Sequence, residues 1–338
     1  MIMNEIEVDV LIIGAGPSGC VAASYLHNNN KHVKVVEKSK FPRFVIGESL
    51  LPRCMDHFDE VGLLDVLKHH GFEIKRGARF LKNDVVCNFD FSKKHTEGWD
   101  WTWQVTRADF DDILAKELVN RGVDISFEHE VVDVIFNEGG TSKTSIKDEH
   151  GDIYCVHAKH IIDSSGYGRV LPRLLGLDKP SAIPEHSSIF AHVKDVRRPE
   201  GEEGTLITFD VLDKDTWLWV IPFSNGDTSI GFVGLTEFID SFDCDTSDRL
   251  QSMLKHSKYY HDRFEGLDFK FPPVCIKNFS KSVKQLYGKG YTLTGNSAEF
   301  LDPVFSSGVT FATESALKAA KLVTKELNNE LVDWEVEY

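Results

Sequence analysis

Val8-Asp9-Val10-Leu11-Ile12-Ile13-Gly14-Ala15-Gly16-Pro17-Ser18-Gly19 decides the fold of this chain. An almost wholly apolar run, too short for a typical helix, ends on glycines spaced G-x-G-x-x-G, and the small-residue segment Cys20-Val21-Ala22-Ala23-Ser24-Tyr25-Leu26 follows. Such a run bounded by glycines reads as a buried parallel strand. Gly14 then permits the tight turn, Gly16 lets the backbone approach a pyrophosphate, and Gly19 lets the next helix pack closely on the strand. With Pro17 and Ser18 at its start, that helix offers free amides and the positive end of its dipole to an anion.

Alone the glycine pattern is weak. A second apolar run, Val33-Lys34-Val35-Val36, ends at Glu37, at about the distance where an acidic residue binds an adenosine ribose, with Lys38 beside it. The charge of Glu37 disfavours a 2′-phosphate, and hence NADP. Strand, glycines, helix and acid in this order point to an adenine dinucleotide.

At 338 residues the chain has room for a sizeable core and two closely joined domains. A net charge of −15 argues against nucleic acid or an anionic membrane as partner, since both require a basic face. The six cysteines are scattered without a C-x-x-C pair, the first residues do not resemble a secretory signal, and no apolar run reaches membrane-spanning length. These features imply a cytoplasmic protein with reduced thiols and no membrane span. Neither cysteines nor histidines show metal-ligand spacing, so no metal is expected, and His69-His70 reads as a solvated helix end.

Along the chain, the prolines and glycine of Phe41–Pro52 indicate a structured loop, in which Gly47-Glu48-Ser49 forms a polar cluster. Cys54–Leu67 has helical periodicity, and a β region begins at Phe72, with a hairpin turn at Asn83-Asp84. Trp99, Trp101 and Trp103 alternate, so a strand there carries all three on one face, as a core stripe or as the wall of a ligand cleft. Arg107, at a strand-to-helix corner, suits a phosphate contact. A strand pair is expected around Ile125–Phe136 with a turn at Gly139-Gly140, and His160-Ile161-Ile162-Asp163-Ser164-Ser165-Gly166 reads as another apolar strand ending in an Asp and a Gly. From about Pro180 the periodicity changes to short alternating strands, an antiparallel sheet layered on the first domain. Tyr291–Asn296 looks like the last strand of the first domain, Phe300–Gly308 a loop, and Val309–Leu327 a helix.

Four of these stretches together resemble the flavin-dependent halogenases, within the wider p-hydroxybenzoate-hydroxylase-like FAD-dependent oxidoreductases. Gly14–Gly19 with Glu37 is similar to the FAD fingerprint of that class, and Asp163-Ser164-Ser165-Gly166 to its second dinucleotide motif. Trp217-Leu218-Trp219-Val220-Ile221-Pro222 is similar to the halogenase signature W-x-W-x-I-P, and Phe300, Pro303, Ser306 and Gly308 fit F-x-x-P-x-x-S-x-G. Gly47-Glu48-Ser49 matches a further frequent motif. The resemblance spans nearly the whole chain. It implies an α/β fold with a Rossmann-like FAD-binding domain and an antiparallel β-sheet substrate domain. The FAD-binding domain would comprise residues 1–179 and 277–338 and the substrate sheet 180–276, with strands contributed by 72–104.

The implied chemistry uses FAD reduced by a separate reductase, with oxygen, to oxidise halide to hypohalous acid, which halogenates an electron-rich aromatic, phenol- or pyrrole-like and free or carrier-bound. Glu37, Arg107 and Asp163 would anchor ribose and phosphates. Gly166, Asn296, Pro303 and Val309 would line the cofactor, and the amides of Ser307 and Gly308 would hold halide or the anionic edge of reduced flavin. Trp217 and Trp219, set by Ile221 and Pro222, would keep substrate from the flavin. Phe72, Lys75 and Gly77 meet the phenol-type pattern F-x-x-K-x-G, which makes Lys75 the residue that captures or orients hypohalous acid, with Ser306 also in the reactive loop.

The chain departs from the family in three places. Gly295-Asn296 stands where Gly-Asp is usual, Phe305 stands where tryptophan-type members carry a catalytic Glu, and family members usually continue past Tyr338. Readings of the same fold that stay open are an aromatic monooxygenase, an isoprenoid double-bond reductase, and a flavin-binding protein without turnover.

Overall fold

The computed structural model describes residues 5–338 except 182, 214, 243 and 301, so Met1–Asn4 and Leu301, both within stretches read above, lie outside the described residues. The quoted stretch forms strand β1 (Glu5–Ile13) and helix α1 (Pro17–Asn28), followed by β2 (Val33–Glu37). Then come α2 (Arg53–Glu60), α3 (Leu64–His70), β3 (Glu73–Lys75), β4 (Gly77–Lys82), β5 (Val85–Asp90), β6 (Thr102–Gln104) and α4 (Arg107–Asn120). β7 (Asp124–Phe127), β8 (Glu130–Phe136), β9 (Ser142–Lys147) and β10 (Ile153–Asp163) complete this half.

Two sheets carry the architecture. In the eight-stranded sheet, Tyr291–Leu293, β10, β1, β2 and β7 lie side by side and parallel, which puts β1 at the centre. Val10 and Ile12 point to one face, among α1 and the Gly308–Leu327 helix, while Leu11 and Ile13 point to the other, against Ile161 and Leu293. Both faces are covered, which is why the run carries no polar alternation. The second, seven-stranded sheet runs Val274–Ile276, His186–Lys194, Asp227–Leu235, Thr216–Pro222, Ile207–Asp213, β4, β5. It is antiparallel except where Ile207–Asp213 runs parallel to β4.

The structure corrects four expectations. The helix expected over Cys54–Leu67 is two, because Gly62 adopts a left-handed φ of 74° and closes a turn onto Asp59. Of the three alternating tryptophans only Trp103 lies on a strand. The rings nevertheless form an edge-to-face series at 5.7 and 5.3 Å, with Trp103 in the core and Trp99 lining a cavity. β7 and β8 share a sheet but do not pair with each other: β7 pairs with β2, and β8 with β9 across the Gly139-Gly140 turn. Finally, Thr236–Asp240, Thr246–Leu254 and His261–Phe264 are helices within the span read as strands. Asp245 caps the longest by accepting from the amides of Ser247 and Asp248, and Leu250, Met253 and Leu254, spaced three and four apart, bury its inner face.

Candidate functional site

Gly14 turns the chain out of β1 with a φ of 100°, and a Cβ there would lie 2.6 Å from the Ser164 carbonyl oxygen. Gly19 faces inward: its Cβ would lie 1.9 Å from the Gly14 carbonyl oxygen, so only glycine lets α1 seat on the turn. Gly16 differs. Its backbone is ordinary, at φ −72°, and a Cβ would meet nothing nearer than 3.8 Å. Glu37, at the end of β2, is buried, and its two carboxylate oxygens accept from the amides of Ala15 and Ser39 at 2.9 Å each.

These residues open a cavity of about 490 Å³ between the two sheets. Gly14, Gly16, Pro17, Ser18, Glu37 and Lys38 line one part of it, and Gly47, Glu48, Ser49, Arg107, Gly166 and Asn296 also border it. Trp217, Trp219, Ile221, Pro303, Ser306, Gly308 and Val309 complete the wall. Trp217, Trp219 and Ile221 alternate on one strand and so share a face. Gly231 on the neighbouring strand makes room for the Trp219 ring, and Trp219 Nε1 donates to Ser229 Oγ at 3.0 Å. Under the Gly14 turn, the hydroxyls of Ser18, Ser164 and Thr294 lie within 3.3 Å of one another and tie the start of α1 to the ends of β10 and the Tyr291–Leu293 strand.

Four expected residues do not reach this cavity. Gly19 packs behind the turn, and Pro222 is buried at the far end of its strand. Ser307 precedes the Gly308–Leu327 helix at its N-cap position and makes no side-chain cap. Asp163 is fully buried, with one oxygen accepting from Ser165 N at 2.9 Å and the other from Leu171 N at 2.7 Å. It braces the Ser164–Gly166 loop from behind the cavity, and burial raises its carboxyl above the usual range. Arg107 borders the cavity, but its guanidinium is gripped twice by Asp111, at 2.8 and 2.9 Å, and donates to the Ile46 carbonyl at 3.0 Å. Arg43, unnoticed in the sequence, shares Asp111 at 2.9 Å, approaches Glu37 at 3.9 Å and lines the cavity.

A second cavity, of about 720 Å³, adjoins the first and shares Phe209 and Ser306 with it. Phe80, Phe89, Phe91, Trp99, Val304 and Phe305 give it apolar walls, and Lys75 opens onto it. The Lys75 amine, 1% exposed, donates to Ser49 Oγ at 2.8 Å and to the Leu50 carbonyl at 2.7 Å. Burial pulls it from 10.5 down to about 7, so ammonium and free amine are both populated near neutral pH.

The first cavity fits FAD. The space beside Gly16 is open for a diphosphate, and Glu37 sits where a ribose would pass. The carboxylate of Glu48 has one oxygen on His192 at 2.6 Å and the other, Oε2, buried without a hydrogen-bond partner among the described residues. A buried acceptor of this kind calls for a donor from a ligand.

The comparisons agree. Residues 7–251 match the model of the FAD binding domain family. The 1H-pyrrole-2-carbonyl-peptidyl-carrier-protein brominase of Pseudoalteromonas luteoviolacea is 28% identical over 99% of this chain and 82% of its own. The crystal structure of a flavoprotein/dehydrogenase from Cytophaga hutchinsonii is 49% identical, with a TM-score of 0.95 over 98% of this chain and 81% of that one. The myxobacterial chondrochloren halogenase is 28% identical, with a TM-score of 0.88 over 98% of this chain and 77% of that one. The chain belongs to the FAD binding domain family: it is a flavoprotein and an FAD-dependent oxidoreductase whose relatives include flavin-dependent halogenases.

Proposed function

We propose that this flavoprotein halogenates an electron-rich aromatic, phenol- or pyrrole-like and free or carrier-bound, in the cytoplasm, with its FAD reduced by a separate reductase. One observation carries the reading: a buried amine stands in an aromatic-walled cavity next to the cofactor cavity, and Ser306 and Phe209 border both. A hydroxylating flavoenzyme places its substrate against the flavin. Here the tryptophan wall leaves the neighbouring cavity as the place for an aromatic ring.

Reduced FAD, when bound, supplies together with oxygen the oxidising equivalents that convert halide to hypohalous acid. The chain's own residues do the rest. Glu37 would hold the adenosine ribose, Lys38 and Arg43 would provide positive charge near it, and Asn296 and Glu48 would border the remainder of the cofactor. The N-terminal end of the 20-residue Gly308–Leu327 helix reaches the cavity at Gly308, whose amide would meet anionic halide with the positive end of the helix dipole. Trp217 and Trp219 exclude substrate and bulk water from the reactive end. Lys75 receives hypohalous acid on the far side: as ammonium it donates a hydrogen bond that orients the acid, and as free amine its lone pair takes the halogen while the O–X bond breaks and the hydroxide leaves with an amine proton as water. The aromatic walls then hold the acceptor ring in reach.

The test is a coupled assay of the protein with FAD, a flavin reductase, NADH, bromide and a panel of phenols and pyrroles, free and carrier-loaded. Products with the isotope doublet of bromine are expected. Hydroxylated product, or NADPH consumption without the reductase, overturns the proposal in favour of a monooxygenase.

A further inference from the structure

We propose that Ser49 is a positioning residue for Lys75: its hydroxyl and the Leu50 carbonyl occupy two of the three free positions on the lysine nitrogen and leave the third open to the aromatic-walled cavity. The proposal rests on the reading of Lys75 given above and adds how the nitrogen is aimed. A carbonyl only accepts, so the Leu50 contact at 2.7 Å fixes one N–H, and the Ser49 contact at 2.8 Å takes a second. An ammonium has three N–H groups, so one is left to donate. A free amine has two N–H groups and a lone pair, so with Ser49 Oγ accepting in this state as well, the lone pair is what remains. The same geometry therefore presents a hydrogen-bond donor in one protonation state and a nucleophile in the other.

Both acceptors belong to one loop, and backbone contacts outside the cavity hold that loop. Leu50 N donates to the Trp103 carbonyl at 3.1 Å, Val105 N donates to the Glu48 carbonyl at 2.7 Å, and Ser49 bridges to Gln104. Loss of the hydroxyl thus leaves the loop in place. The groups facing the amine do not compete. Cys54 on α2 is the nearby titratable group, its thiol pushed by burial up to about 12 and hence neutral, and the Phe91 ring lies 5.5 Å away. Arg53, Asp56, Asp90, Lys94 and Glu97 line the same cavity, and none of them hydrogen-bonds to Lys75 Nζ among the described residues.

The test follows the Lys75 Cε resonance with pH in protein carrying ¹³C-labelled lysine, assigned by its loss in Lys75→Arg. Wild type is expected to titrate near its value of about 7. Ser49→Ala, which strips an acceptor from the charged form, lowers the midpoint by about one pH unit. Ser49→Thr, which keeps a hydroxyl, restores it. An unmoved midpoint in Ser49→Ala that still binds FAD overturns the proposal, as does a Ser49→Thr midpoint that stays with Ser49→Ala. The titration needs no turnover: a Lys75→Ala enzyme that still brominates removes the lysine from the reaction without deciding how its nitrogen is held.

Discussion

Gly16→Ala and Gly19→Ala change the same turn by the same methyl group and should fail in different ways. At Gly19 the new carbon would sit 1.9 Å from the Gly14 carbonyl oxygen and 3.0 Å from the Gly14 carbonyl carbon, both backbone. An overlap of more than an ångström with backbone displaces either α1 or the turn. The loss of stability should reach or exceed the upper part of the range for overpacked cores, about 3 kcal/mol. At Gly16 the nearest atoms are the tip of Arg43, at 3.8 Å, and the Asp111 carboxylate, at 3.9 Å, and the φ of −72° suits alanine. Its effect on stability should stay within about 1 kcal/mol. The methyl nevertheless fills the open space beside the helix start where a diphosphate would lie. FAD affinity should fall at least tenfold, roughly 1.4 kcal/mol. Urea denaturation of the FAD-free proteins and fluorescence titration with FAD separate the two effects. A Gly16→Ala protein that binds FAD like wild type would refute the placement of the diphosphate at this turn.

Lys75→Met tests the buried amine through stability. The folded-state pKa of about 7 lies below the ordinary 10.5, so between these values the unfolded chain binds the extra proton and wild-type stability rises with pH. The advantage of Lys75→Met in urea should be largest below pH 7, on the order of several kcal/mol, and should fade toward pH 10; an advantage independent of pH would count against a buried, shifted amine. Asp111→Asn leaves the guanidiniums of Arg107 and Arg43 without their shared carboxylate and should cost roughly 3 kcal/mol in the same assay. An unchanged urea midpoint would show that solvent already screens that cluster. Glu37→Ala frees the amides of Ala15 and Ser39 and removes the ribose acceptor, so the dissociation constant for FAD should rise about tenfold. Full affinity would place the ribose elsewhere.

What could be read from the sequence was local. The run into Gly14, the glycine spacing and Glu37 lie within a single strand–turn–helix–strand unit, where each residue's task follows from backbone geometry. The Trp217–Pro222 alternation likewise fixes a shared face without reference to the rest of the chain. Partners far apart in sequence were not legible. Arg43 meets Asp111 across 68 positions, and that contact, with the bidentate grip of Asp111 on Arg107, forms an ion cluster at the edge of the cavity. Asp163 ends its strand as expected, but period-two alternation cannot tell that its carboxylate folds back onto Ser165 and Leu171. The parallel pairing of Ile207–Asp213 with β4 joins segments more than 120 residues apart, and nothing in either announces it. One of the helices after Leu235 does carry a local signal, Asp245 ahead of the Leu250, Met253, Leu254 spacing.

The halogenation mechanism turns on Lys75, and the direct measurement compares brominated product from wild type and Lys75→Ala at matched FAD occupancy, with the same reductase and phenol or pyrrole acceptor. Lys75→Ala is expected to bind FAD and oxidise reduced flavin like wild type while yielding no brominated product. A Lys75→Ala enzyme that brominates at the wild-type rate and on the same ring position would contradict the mechanism.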